Sequence, residues 1–294
     1  MARFAIDEGV LSHLETLDLL IKNNLAGAYG GNRKSRSFGS SAEFADYRDY
    51  AAGDDITKID WKAFARFDKL YQRLYFDERQ MHTKIYIDVS RSMGHGDGKK
   101  ARQALASALC FAYLSVSAMD KVSIYAIREG GLAELITRAV GKDALLEKLS
   151  EVGEIEFEGE SRISEALLSS ELGRGDGLSV IISDFLTDSD FEMALDALAE
   201  RKRDVLCLQI LSREEINPLL RGKMHLFDAE NLSKTYRKNI DREIAEAYKK
   251  ALSYVKERIS SGCQARGQDY LFLSAEDSVL EAFFGKLNDI GVLK

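Results

Sequence analysis

No apolar run in this sequence approaches the ~20 residues needed to cross a bilayer. The first residues, Met1 to Glu8, lack the apolar stretch of a signal peptide. Cysteine is scarce. Cys110, Cys207 and Cys263 stand far apart with no C-x-x-C pair, which excludes a disulfide framework and fits buried thiols. The histidines, His13, His82, His95 and His225, are scattered, so nothing has the spacing of a zinc site. There is no surplus of positive charge. The formal net charge of −7 argues against nucleic acid as the main partner, and the basic run Arg33-Lys34-Ser35-Arg36 reads as a solvated loop. Together these absences point to the cytoplasm.

What is present is a chain of 294 residues, 45% hydrophobic, with ample material for a large core. From about residue 83, short apolar runs alternate with amphipathic segments. Strands are expected at 85–87, 122–127, 132–137, 178–182, 205–211 and 270–273. Helices are expected at 100–117, 142–150, 162–171, 189–201 and 276–290. That alternation predicts an α/β fold of Rossmann-like type, with a mostly parallel central sheet and helices on both faces. The segment 213–268 breaks the rhythm and reads as an insertion. It holds the single proline, Pro218, a short strand at 224–228 and a long helix at 240–260. Ahead of the core, Val10, Leu14, Leu17 and Ile21 mark one face of a helix over 7–23. Residues 27–66 are rich in Gly, Ser and charge, punctuated by Phe38, Phe44, Tyr47, Tyr50 and Trp61. They read as an ordered arm, followed by a strand over 70–76. The expected division is thus an N-terminal helix and arm, 1–80, packed on a core of 81–294.

The chemistry concentrates at Ile85-Tyr86-Ile87-Asp88-Val89-Ser90-Arg91-Ser92-Met93. A β-type run ends in a carboxylate, two hydroxyls follow at +2 and +4, and a helix comes next. Open α/β sheets place their ligands at such a strand's carboxyl end. Two more loops belong to the same edge. Ser161 precedes the helix at 162–171, and Asp184 follows the strand at 178–182. Hard oxygens of Asp and Ser suit Mg²⁺, Mn²⁺ or Ca²⁺ rather than zinc. Asp88 and Asp184 would repel each other by about 3 kcal/mol at ~5 Å and an effective dielectric near 20, and a divalent cation would relieve that. Three rival readings attach to these loops. Gly94-x-Gly96-x-Gly98 lies between strand and helix, but a dinucleotide fingerprint needs another spacing. Asp88 as the nucleophile of a Mg²⁺-dependent phosphohydrolase is the alternative from another class, although Ser90 stands where a second aspartate is wanted. In the third, Asp88 caps the loop, Ser90 and Ser92 satisfy turn amides, and no metal binds.

With these residues in hand, the chain resembles the von Willebrand factor A domain and its metal-ion-dependent adhesion site. That resemblance implies that Ser90 and Ser92 ligate the ion directly and that Asp88 and Asp184 act largely through water. Ser161 stands where the family has threonine, and Glu160 where glycine is usual. A narrower resemblance spans nearly the whole chain. Glu43-Phe44-x-x-Tyr47-Arg48-x-Tyr50-x-x-Gly53-Asp54-Asp55 leads to Ile59-Asp60-Trp61-Lys62 and Ala65-Arg66, then to Phe76, Glu78 and Ser183-Asp184-Phe185. This is similar to a bacterial family of unknown function, number fifty-eight of that class, often encoded beside MoxR-type AAA+ ATPases. It implies a non-catalytic interaction module that works with such an ATPase on client proteins. Longer members carry membrane helices, so this chain reads as a soluble member. Within the arm, two readings stay open. Arg48, Asp54, Asp60 and Arg66 form a buried ion-pair network with Trp61 as core anchor, or Glu43, Arg48, Asp54, Asp60, Trp61 and Arg66 form a docking surface for the ATPase.

Overall fold

The computed structural model describes residues 2–4, 44–51, 53–75, 81–169, 177–186, 191–218, 222–227 and 235–278. The helix expected at 7–23, nearly all of the one at 276–290, and Glu43 lie outside the described residues. The chain divides into two compact units, Tyr29–Gln80 and the combination of Met1–Ala28 with Met81–Lys294. A short strand, Ala2–Phe4 (β1), belongs to the larger unit.

The smaller unit is built on two antiparallel strands, Phe44–Asp49 (β2) and Tyr71–Tyr75 (β3). Between them lie a 3-10 turn at Ile56–Lys58 and a short helix, Trp61–Phe67 (α1). Asp60 starts α1 by accepting the Lys62 and Ala63 N–H groups at 2.9 and 3.1 Å. Asp68, in a left-handed conformation, ends it. The strand expected at 70–76 is present. Strand β2 and helix α1 went unanticipated, because elements this short leave too few repeats for a period to show.

The larger unit runs His82–Asp88 (β4), Arg91–Gly94 (α2), Lys99–Ser117 (α3), Lys121–Arg128 (β5), Gly131–Val140 (β6) and Lys142–Glu151 (α4). Then come Ile155–Phe157 (β7), Ile163–Ser169 (α5), Leu178–Ser183 (β8), Phe191–Glu200 (α6) and Asp204–Leu211 (β9). Residues 213–264 supply Arg213–Ile216 (α7), the hairpin strands Gly222–Phe227 (β10) and Thr235–Ile240 (β11), and Arg242–Gln264 (α8). Asp269–Ser274 (β12) completes the sheet. Its order is β12-β9-β8-β4-β5-β6, parallel throughout except for the antiparallel edge strand β6. Strand β1 pairs with β7 outside it.

The period of two along each strand sorts side chains into two cores. Ile85 and Ile87 of β4, with Val180, Ile182, Leu206 and Leu208, pack against α3 and α4 on one face. Tyr86, Ile181, Val205 and Cys207 face α5, α6 and α8 on the other. This is the Rossmann-like layering expected from the alternation. Ala101, Ala104, Ala108 and Ala112 are buried along α3, which lets that helix lie close to the sheet. Gly98, at φ +73°, turns the chain into α3, and a Cβ there would run into the Phe4 ring. All three thiols are buried and free, and burial pushes Cys110 up to about 12. Among the described residues, no helix is long and apolar enough to cross a membrane.

Candidate functional site

From β4 the chain moves to β5 on one side, and later returns to β8 on the other side of β4. The order therefore reverses at the β4–β8 pair. The crevice at the carboxyl end of such a pair is where open α/β sheets bind their ligands. Asp88 is the last residue of β4, and Asp184 directly follows β8. Both carboxylates are wholly buried.

Three loops meet there. In the first, the Ser90 N–H closes a tight turn onto Asp88 Oδ1 at 2.9 Å, and the Ser90 and Ser92 hydroxyl oxygens lie 3.1 Å apart. The second is tied to the first by backbone hydrogen bonds, Arg91 N–H to Gly159 C=O at 3.0 Å and Glu158 N–H to Val89 C=O at 2.8 Å. From it Ser161 donates its hydroxyl to Asp88 Oδ2 at 2.7 Å. In the third, Ser183 donates to the same Asp88 oxygen at 2.6 Å, and Asp184 Oδ2 accepts the Ser92 hydroxyl at 2.8 Å. Phe185 carries this loop through a left-handed turn (φ 54°), held by its N–H on Ser183 Oγ at 3.0 Å. Positive φ in an aromatic residue is a strained choice of the kind found at ligand sites. Gln209 of β9 braces the loop by donating to the Asp184 carbonyl at 2.7 Å.

The electrostatics of the pair are unequal. Burial, and then the charge of Asp184, push the Asp88 pKa above its ordinary value. The Ser183 and Ser161 hydroxyls and the Ser90 N–H pull against that. Asp184 has a counter-ion, because Lys100 of α3 donates to its Oδ2 at 3.0 Å. The same ammonium donates to Glu215 Oε1 at 2.5 Å. Burial alone would lower the Lys100 pKa, but the Asp184 and Glu215 carboxylates outweigh it and hold it above its usual value. Two carboxylates and three hydroxyls make a donor set suited to a hard divalent cation. Among the described residues no group of three or more His, Cys, Asp or Glu side chains is placed to hold a metal ion, so any such site relies on its serines.

Residues 46–258 match the model of the family described as protein of unknown function DUF58. The chain belongs to the DUF58 family. Curated relatives include uncharacterized proteins of Mycobacterium tuberculosis and Mycobacterium bovis. Each is 27% identical over 240 residues, spanning 79% of this chain and 74% of the relative. Among solved structures, an aerotolerance-related membrane protein from Bacteroides fragilis aligns with TM-score 0.38 and 14% identity. That alignment covers 72% of this chain and 99% of the other. The SpRpn10 VWA domain aligns with TM-score 0.38 and 10% identity over 71% of this chain and 95% of that domain.

In this DUF58 chain, all five residues expected to share a site, Asp88, Ser90, Ser92, Ser161 and Asp184, lie in one hydrogen-bonded cluster. Sequence reasoning missed Lys100 and Glu215, and it named Ser183 without giving it a role at the site. One signal was available for Lys100. A lysine in the first turn of a helix opposes the helix dipole and asks for a nearby anion. Glu160 turns to solvent and pairs with Arg162 at 3.1 Å.

The arm departs from the buried-network expectation. Arg48 pairs with Asp54 at 2.8 Å, half exposed. Asp60 is buried but takes Arg73 Nε at 2.9 Å and the Tyr47 hydroxyl at 2.8 Å, not Arg66. Arg66 is exposed on α1, and Trp61 is 61% exposed, edge-on to Phe64 at 6.2 Å. A helix of two turns between two strands has too little apolar surface beside it to enclose an indole.

Proposed function

We propose that this chain is a metal-dependent protein-interaction module that binds Mg²⁺ or Mn²⁺ through Asp88, Ser90, Ser92, Ser161 and Asp184. Its partner would be a MoxR-type AAA+ ATPase, with which it acts in assembling or remodelling client proteins. The observation that supports the metal reading is the convergence of three loops on one crevice with oxygens 2.6–3.1 Å apart. Neighbouring ligands of a small octahedral ion, with bonds of about 2.1 Å, lie about 3 Å from each other. The Ser90–Ser92 and Ser92–Asp184 separations, 3.1 and 2.8 Å, fit that spacing. When bound, the ion would offer an open coordination position to a partner's carboxylate. The chain's own residues aim the hydroxyls and keep the carboxylates dry. Asp88 is a poor nucleophile in this setting, since its Oδ2 already accepts two hydroxyls.

The test is thermal unfolding with and without millimolar Mg²⁺ or Mn²⁺. Metal at 100 times its Kd should add about 2.7 kcal/mol of stability, and Asp88→Asn should abolish that gain. The double variant Ser90→Ala, Ser92→Ala should stay folded and lose capture of the ATPase. An unchanged melting curve at millimolar metal would remove the metal reading. Full-strength capture by the double variant would remove the bridging role.

A further inference from the structure

Lys100 is the second residue of α3 and only 2% exposed. Two features make it more than a packed side chain. Its charge sits in the first turn of a helix, where the dipole disfavours a cation. Its ammonium is almost fully removed from water, which requires paired anions. Those anions are Asp184 Oδ2 and Glu215 Oε1. The Asp184 oxygen it holds is also the one that accepts the Ser92 hydroxyl. Any divalent ion that drew on the Asp184 carboxylate would have to share it with the Lys100 ammonium.

We propose that Lys100 is an internal competitor for the Asp184 carboxylate, and that Glu215 sets the strength of the competition. The proposal rests on the metal reading above and adds the residue that tunes it. Glu215 is well placed for this task. Its Oε2 accepts the Ser212 N–H at 2.8 Å while its own N–H donates to Ser212 Oγ at 3.2 Å, a reciprocal cap that locks the side chain. Its other oxygen, Oε1, is left for Lys100. The Glu215 carbonyl accepts the Tyr248 hydroxyl of α8 at 2.7 Å, which anchors the α7 turn. An ion that takes Asp184 leaves the ammonium with Glu215 as its remaining carboxylate. Without the Glu215 charge, the ammonium would depend on Asp184 alone and release it less readily.

The experiment is a Mn²⁺ titration of the full chain, with free Mn²⁺ followed by electron paramagnetic resonance. Lys100→Met should bind at least about tenfold more tightly than the unaltered chain. Glu215→Gln should bind about threefold or more weakly, and Lys100→Arg should stay within about threefold. The opposite signs separate competition from packing, since a loss of packing would weaken binding in both variants. If the unaltered chain binds Mn²⁺ and Lys100→Met binds no more tightly, the proposal falls and the metal site stands. If neither binds, both fall. If Lys100→Met does not fold, Glu215→Gln decides, and an affinity equal to or tighter than that of the unaltered chain overturns the proposal.

Discussion

Asp60 in the smaller unit and Asp88 in the larger one are both buried carboxylates ringed by donors, yet their charges are treated in opposite ways. Asp60 accepts Arg73, Tyr47 and two helix N–H groups, and this set, led by Arg73 and then Tyr47, holds its pKa well below the usual carboxylate range. Among the described residues Asp88 accepts hydroxyls and one N–H but no cation, and burial, then the charge of Asp184, push its pKa up. The chain satisfies the first charge internally, so Asp60 reads as structure. Among the described residues the second has only hydroxyls and one N–H beside it, and its charge is opposed by burial and by Asp184.

The largest expected effect tests whether the Asp184–Lys100 pair is as dry as it looks. Asp184→Ala leaves Lys100 buried with Glu215 alone and should cost about 3–5 kcal/mol in equilibrium urea unfolding. A loss under about 1 kcal/mol would mean that the ammonium reaches water, and the contrast with Asp60 would weaken. A smaller effect separates the two aspartates directly. Asp88→Asn removes a charge that its surroundings oppose, and without divalent metal it should change stability by less than about 1 kcal/mol, or about 2–4 °C in Tm. Asp60→Asn removes a charge that its surroundings favour. It should destabilise the smaller unit and speed hydrogen exchange in α1. Equal responses would dissolve the comparison.

The smallest effect concerns the other end of β4. Burial lowers the His82 pKa to about 4, with Lys84, Arg203, Arg138 and Lys121 adding repulsion. The neutral ring, whose Nε2 lies 3.0 Å from Ser123 Oγ, is therefore the folded form. A depressed folded pKa contributes stability above the unfolded value of about 6.5, and that stability is lost as pH falls through about 4. His82 is only half buried, so solvent screens the effect. Tm should decline from pH 7 to 4, and His82→Gln should flatten part of the decline. An identical pH profile in the variant would assign the loss to other groups.

The long, periodic elements were legible in advance. The apolar runs of β8 and β9 and the alanine-lined face of α3 each carry enough repeats to declare their type. Strand β11, Thr-Tyr-Arg-Lys-Asn-Ile, was not, because residues 235–239 are all exposed and no alternation marks a buried face. Strand β1 pairs with β7 across some 150 residues of chain, a partnership that local pattern does not encode. At the site, Asp88, Ser90 and Ser92 were readable as one motif, and Ser161 and Asp184 from their positions at element ends.

Local sequence alone determined the layered α/β class, the strand end that carries Asp88 and the oxygen chemistry of its loop, because side-chain periodicity and residue type act over a few neighbours. Only the tertiary structure decided that Ser161 and Ser183 would share one Asp88 oxygen and that Lys100 would reach Asp184 and Glu215. Those contacts join residues 73 to 115 positions apart. The physical reason is burial. Once α3 packs on the sheet, a lysine that would be solvated in an open chain has no water to turn to, and it must take whichever carboxylates the fold brings beside it.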